Sequence, residues 1–263
     1  MRLYLSKALM FATLCTIPAT AYSATYRMCS PQIAPWTYVE TKEDGSRTLS
    51  GPYPELKENL ASISGQSIEL VILPYARMLQ QLKQGSCDFT WTLWSESREE
   101  YALRGTTFLL LDFGVMAKPG TPLNSYSDLS GMTVVVPRGV KVSNKFDSDK
   151  TITKFEVVDY LQGLKMLQHK RADGIAGTFL TFSFHLNQQR RADVLREKLV
   201  LKTLPVTIVY SKLSQHLKTR VVIDNAMAKL VHNGFVKQTI NKWFGKDAAH
   251  LPQKPLDAIH YNN

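Results

Sequence analysis

The chain has 263 residues, 44% of them apolar and 21% charged, with a formal net charge of +10. That size allows one large domain or two ordinary lobes, and the composition is globular, excluding a long disordered tail or a low-complexity tract. The basic residues are scattered, with only His169-Lys170-Arg171 and Arg190-Arg191 running together; with no interleaved aromatic stripe, no nucleic-acid partner is expected, only a basic surface that steers anions.

Residues 1–23 stand apart. Arg2 and Lys7 give a positive start, residues 8–17 are a short apolar core, and Ala19-Thr20-Ala21 or Ala21-Tyr22-Ser23 offers small residues for cleavage. This is the pattern of a secretory signal peptide, and the expected product is a free, exported protein. The apolar core is too short to span a bilayer comfortably, and no later run is long enough. Losing Arg2 and Lys7 takes the net charge from +10 to about +8.

Cleavage leaves Cys29 and Cys87. An oxidising compartment permits a disulfide. However, Cys29 is expected to end one strand and Cys87 to begin another, at opposite ends of a parallel pair. Bridging needs Cα atoms within about 7 Å, so two free, buried thiols are expected.

The elements then follow in order. Residues 25–29 read as a strand, with Trp36 in the loop after it, either a lid over core or an aromatic wall for a ligand. Asp44-Gly45 is a hairpin-type turn signal. A helix opens at Pro52, carries Leu56, Leu60 and Ile63 on one face, and stops at Gly65. Residues 67–73 alternate like a strand. Met78, Leu79 and Leu82 mark a helix ended by Gly85, and residues 87–93 are a β-branched, aromatic strand. At its carboxyl end, where open α/β sheets bind ligands, stand Thr92, Trp94, Ser95 and Arg98, which suit a small anionic or zwitterionic solute.

An apolar run over residues 108–115 leads to Lys118-Pro119-Gly120-Thr121-Pro122, which reads as a boundary. A second unit has strands at 133–136 and 155–158, a helix at 160–170 and a strand entered through Ala172-Asp173-Gly174. Strands at 199–204 and 206–210, separated by Pro205, precede helices ended by Gly234 and Gly245. Residues 246–263 read as a surface tail. Strands alternating with helices imply parallel strands with helical crossovers.

No metal-ligand spacing joins the six histidines, and no phosphate loop, dinucleotide fingerprint or nucleophile elbow occurs, so neither cofactor nor metal is expected. Glu96, Glu99 and Glu100 read as a solvated helix start. The hinted chemistry is binding: a guanidinium forks onto a carboxylate, which makes Arg98 or Arg77 the natural anchor.

Taken together, Gly51-Pro52-Tyr53-Pro54-Glu55-Leu56, Pro74-Tyr75-Ala76-Arg77, Gly85-Ser86-Cys87-Asp88 and Ser95-Glu96-Ser97-Arg98 form an ordered set. It continues with Leu129-Ser130-Gly131-Met132-Thr133-Val134, Arg138-Gly139, Arg171-Ala172-Asp173-Gly174, Asn233-Gly234-Phe235 and Lys242-Trp243-Phe244-Gly245. In order and spacing the chain resembles the family 3 extracellular solute-binding proteins, periplasmic proteins associated with ABC transporters for amino acids. The resemblance implies an α/β, type II periplasmic-binding-protein fold: two lobes, two hinge crossovers and a ligand in the cleft. The lobes are expected at 24–111 with 206–245, and at 112–205.

Carried over by position, Arg98 matches the arginine that holds a ligand carboxylate and Trp36 the aromatic that covers the ligand. Thr92 and Ser95 fall near its polar contacts, and Arg138 and Gly139 lead into the second-lobe helix start. Three departures bear on the ligand. Val140 follows Gly139 where Thr or Ser is usual, Thr178 stands near the place of the acid that holds an ammonium, and Trp94 is bulkier than expected. The expected site is thus Trp36, Tyr75, Arg77, Thr92, Trp94, Ser95, Arg98, Arg138, Gly139 and Thr178. The expected function is non-enzymatic capture of a small, carboxylate-bearing solute by a periplasmic monomer that delivers it to an inner-membrane ABC permease. The alternatives are a dehydratase resembling cyclohexadienyl dehydratase, with Glu55 or Glu96 as its acid, and a receptor reporting to a separate sensor.

Overall fold

A computed structural model describes residues 25–138, 140–188, 195–245, 248 and 250–252. The signal-peptide segment, Gly139 and most of the C-terminal tail lie outside the described residues. The first half contains β1 (Thr25–Pro31), a hairpin of β2 (Tyr38–Thr41) and β3 (Arg47–Ser50), α1 (Pro52–Ser64), β4 (Ser67–Leu73), α2 (Tyr75–Lys83), β5 (Phe89–Leu93) and β6 (Ala102–Ala117). Then come β7 (Thr133–Pro137), α3 (Asn144–Ser148), β8 (Thr153–Val157), α4 (Tyr160–Gln168), β9 (Gly174–Thr178), α5 (Phe179–Gln188), β10 (Glu197–Ser211), α6 (Arg220–His232) and α7 (Phe235–Phe244).

Local chemistry explains the early elements. Pro52 starts α1, where its missing N–H costs nothing, and Leu56 and Leu60 bury its inner face. Gly65 then ends the helix at φ 66°, a left-handed conformation that glycine adopts without steric cost. Met78 and Leu82 fix α2 in the same way.

Strand directions set the architecture. The eight-stranded order is β4-β1-β5-β10-β6-β9-β7-β8. β1 is parallel to β4 and β5, and β7 is parallel to β8 and β9. Between the two sets lie β6 and β10, antiparallel to each other along nearly their whole length. β10 is antiparallel to β5, and β9 is antiparallel to β6. Following these relations, β1, β4 and β5 run toward the second set, while β7, β8 and β9 run toward the first. The carboxyl ends of both parallel sets therefore face one another. Leu93, ending β5, pairs with Val206, which pairs with Leu109; Thr178, ending β9, pairs with Phe113. Four residues of β6 separate the two strand ends, about 13 Å at the usual rise.

Three expectations change. First, Cys29 and Cys87 are bridged, with Cα atoms 5.8 Å apart. β1 runs on to Pro31, so Cys29 is inside the strand. β5 begins only at Phe89, opposite Met28, so Cys87 sits in the turn entering beside β1 rather than at the far end. Second, Pro205 does not divide two strands. It pairs with Leu110 within β10, its carbonyl accepts from the Trp94 amide at 3.0 Å, and a register shift just beyond it absorbs the missing N–H. Third, the tail is not wholly apart: the carbonyl of His250 accepts from the Leu110 amide at 2.8 Å. Helix α5 was not anticipated at all, because its Phe- and Thr-rich sequence carries strand propensity. Among the described residues, no helix is long and apolar enough to cross a membrane.

Candidate functional site

The loops that leave β1, β4 and β5 open onto the gap between the facing strand ends. Tyr75 is the first residue of α2, directly after β4, and Thr92 lies near the end of β5. Arg98 closes the short 3-10 turn Glu96–Arg98 that follows. β4 and β5 both flank β1, which brings residues 17 and 23 positions apart together. Arg98 Nη2 donates to the Tyr75 hydroxyl at 2.8 Å, Nη1 donates to the Leu93 carbonyl, and the Tyr75 hydroxyl lies 3.4 Å from Thr92 Oγ1.

Arg98 is only 9% exposed, yet among the described residues no carboxylate lies within ion-pair reach of it. A desolvated cation without a counter-charge is costly. Two of its five N–H groups hold the guanidinium in place, which leaves donors for a carboxylate fork. The arrangement can hold an anion.

The other expected residues are placed differently. Trp94 is half-buried and packs against the cluster that holds the disulfide. Ser95 is exposed, and its hydroxyl lies 2.8 Å from that of Ser97. Arg77 is exposed on the first turn of α2, and Arg138 is exposed at the end of β7 with its amide bonded to the Val157 carbonyl. Among the described residues, neither arginine side chain forms a hydrogen bond or ion pair. Glu55, one of the two acids considered for chemistry, binds Lys242 at 2.8 Å and the Trp243 indole N–H at 3.3 Å, so α7 claims it. Glu96, the other, is exposed on the 3-10 turn. A hollow of about 370 Å³ lies between Leu49, Gly51, Leu70 and Trp243, on the α1 side of the first lobe rather than at Arg98.

Trp36 is buried, its ring 5.3 Å from that of Tyr53 and 4.9 Å from that of Phe244, and its indole N–H donates across the gap to Thr181 Oγ1 at 3.2 Å. Thr178 Oγ1 in turn donates to Thr181 Oγ1 at 2.6 Å. Burial pushes the pKa of the Tyr160 hydroxyl up to about 12, against the opposing pull of Thr178. Thr181 and the adjacent buried His185 were given no role in the sequence reading, and Tyr160 only that of starting a helix; Thr181 stands three residues after Thr178, across the junction of β9 and α5.

A family model for bacterial extracellular solute-binding proteins, family 3, matches residues 27–246. The chain belongs to this family. No curated protein sequence matches it significantly. Among solved structures, this family 3 solute-binding protein is similar to a histidine kinase sensor domain resembling periplasmic binding proteins, with TM-score 0.70, 16% identity and coverage of 88% of this chain and 99% of that one. A histidine-bound substrate-binding protein of an ABC uptake transporter from Streptococcus pneumoniae gives TM-score 0.69 at 16% identity, covering 86% and 94%. The ligand-binding core of GluR0 from Nostoc punctiforme, in complex with L-glutamate, gives TM-score 0.68 at 19% identity, covering 84% and 99%. At these identities the likeness establishes the two-lobed α/β fold, as the sequence led us to expect.

Proposed function

We propose that this family 3 protein captures a small, carboxylate-bearing solute between its lobes, with Arg98 as the anchor. One observation carries the reading: a buried guanidinium, oriented by Tyr75 and the Leu93 carbonyl, has no acidic partner among the described residues and stands at the strand ends that face the second lobe. Thr92 and Tyr75 complete the anion-holding wall, Trp94 and Ser95 border it, and Arg77 and Arg138 supply positive field. Trp36 and Thr178 close one side.

The lobes divide at 111/112 and 205/206. Pairing supports these limits: β6 gains β9 as a neighbour at Phe113, and β10 gains β5 at Val206. Binding is non-covalent and needs no cofactor. The protein works as a periplasmic monomer after loss of residues 1–23 and hands its solute to an ABC permease. The disulfide, which persists in oxidising compartments, supports export.

Isothermal titration of the refolded mature protein with a panel of amino acids, hydroxy acids and dicarboxylates tests this. At least one carboxylate binds the wild type, and Arg98→Ala abolishes that binding. Unchanged binding by Arg98→Ala removes Arg98 from the site.

A further inference from the structure

We infer that direct contact between the lobes, made by the loop after β1 and by α7 on one side and by α5 on the other, is a latch that holds the cleft closed along one side before any ligand enters. This goes beyond ligand capture and does not depend on what Arg98 binds.

The two strands β6 and β10 already connect the lobes covalently. The latch is a third connection, made only of side chains and one loop. Its polar part is the donation from the Trp36 indole to Thr181, whose oxygen also accepts from Thr178. Both partners are sequestered, Trp36 at 6% and Thr181 at 1% exposure. Its apolar part is a set of rings crossing the same boundary: Phe184 of α5 lies 6.4 Å from Tyr38 and 6.5 Å from Phe244, measured between ring centres. Buried His185 of α5 lies in the same layer, its ring 5.5 Å from that of Phe184. α7 belongs to the first lobe, since it packs on α1 and α6. Its Phe244 therefore meets α5 from the opposite lobe.

These contacts satisfy their own polar groups and bury their own rings, so nothing in them needs a solute to complete it. Opening the cleft exposes Trp36, Phe184 and Phe244 to water and breaks the Trp36–Thr181 hydrogen bond. A latched protein is thus preorganised: the fraction of ligand-free molecules in the binding-competent arrangement is high, and the apparent dissociation constant lies close to the intrinsic one. Trp36 then serves as a lobe-to-lobe tie more than as a free lid.

Small-angle X-ray scattering tests the latch on mature protein unfolded in denaturant, dialysed free of carried-over solute and refolded. The ligand-free wild type is expected to match the scattering calculated for the latched arrangement. A clearly larger radius of gyration in the wild type overturns the proposal without any variant. Thr181→Val combined with Phe184→Ala is expected to expand the ligand-free protein, and Trp36→Phe, which keeps a ring but removes the N–H, to expand it less. A folded double variant, checked by circular dichroism, with the wild-type scattering curve also overturns the latch. Because no solute is present, these results stand whether or not Arg98 anchors a carboxylate.

Discussion

The Cys29–Cys87 bridge makes the strongest stability prediction. It closes a stretch of 58 residues that includes β2, β3, α1, β4 and α2. Tying the ends of such a loop removes conformational freedom from the unfolded chain, worth about 4 kcal/mol for a loop of this length. For a protein of this size each kcal/mol moves the melting temperature by about 2–4 °C, so reduction is expected to lower it by about 8–16 °C. The bond lies in a cluster with Met78, Leu82, Ala102 and Val209, where both cysteines are fully buried. Native protein therefore resists mild reductant, and the full loss appears only when the unfolded state is reduced too. The assay is urea unfolding of the mature chain with and without dithiothreitol, alongside thiol titration of the denatured, unreduced protein. The titration finds no free thiol. Two free thiols, or a stability difference under about 1 kcal/mol, would show that the bridge does not constrain the unfolded chain in this way.

Three further outcomes follow from the same geometry. Asp224 is buried on α6 and accepts from the Thr106 amide at 2.7 Å and from the Thr106 hydroxyl at 3.0 Å. Asp224→Ala leaves the buried Thr106 amide unpaired, while the Thr106 hydroxyl keeps the carbonyl of residue 224 at 3.2 Å, and is expected to cost about 2 kcal/mol by denaturant titration. Burial holds the His185 imidazole below its ordinary pKa, against the opposing pull of Asp159 and the Ala34 backbone, so the folded protein favours the neutral ring. The stability this gives is present above the unfolded value near 6.5 and is lost as pH falls below it, with a slope of at most about 1.4 kcal/mol per pH unit. Denaturant midpoints between pH 7.5 and 5 should show the loss, and His185→Gln should flatten it. Tyr75→Phe removes one tether of the Arg98 guanidinium while keeping the ring. A solute that titrates the wild type is expected to bind it about tenfold more weakly, consistent with one charge-assisted hydrogen bond.

How much of this was legible depended on whether the signal was local. α1, β4 and α2 were readable because Pro52, Gly65 and Gly85 punctuate clear apolar periodicities. α5 was not, since Phe179, Thr181, Phe182 and Phe184 favour strands and only packing against β6, β9 and α7 makes them helical. The disulfide was misjudged over a two-residue error in strand limits, enough to move Cys87 from the far end of β5 to a turn beside Cys29. Pro205 misled in a similar way, because a register shift lets a central strand carry a proline. At the candidate site, Arg98 could be singled out because it follows a β-branched strand. Its partnership with Tyr75 could not, because the sheet order β4-β1-β5 creates it. The lobe-to-lobe tie of Trp36 to Thr181 joins residues 145 positions apart and left no trace in any one segment.

If Arg98 is the counter-charge for a solute carboxylate, acid and amide must bind differently. The most direct measurement is a calorimetric titration of ligand-free mature protein, wild type and Arg98→Ala in parallel, against a carboxylate panel and the matching primary amides. Saturable binding of at least one carboxylate is expected, with loss of that binding in its amide, and loss again in Arg98→Ala despite an unchanged circular dichroism spectrum. Equal binding of acid and amide, or full affinity in Arg98→Ala, would contradict it.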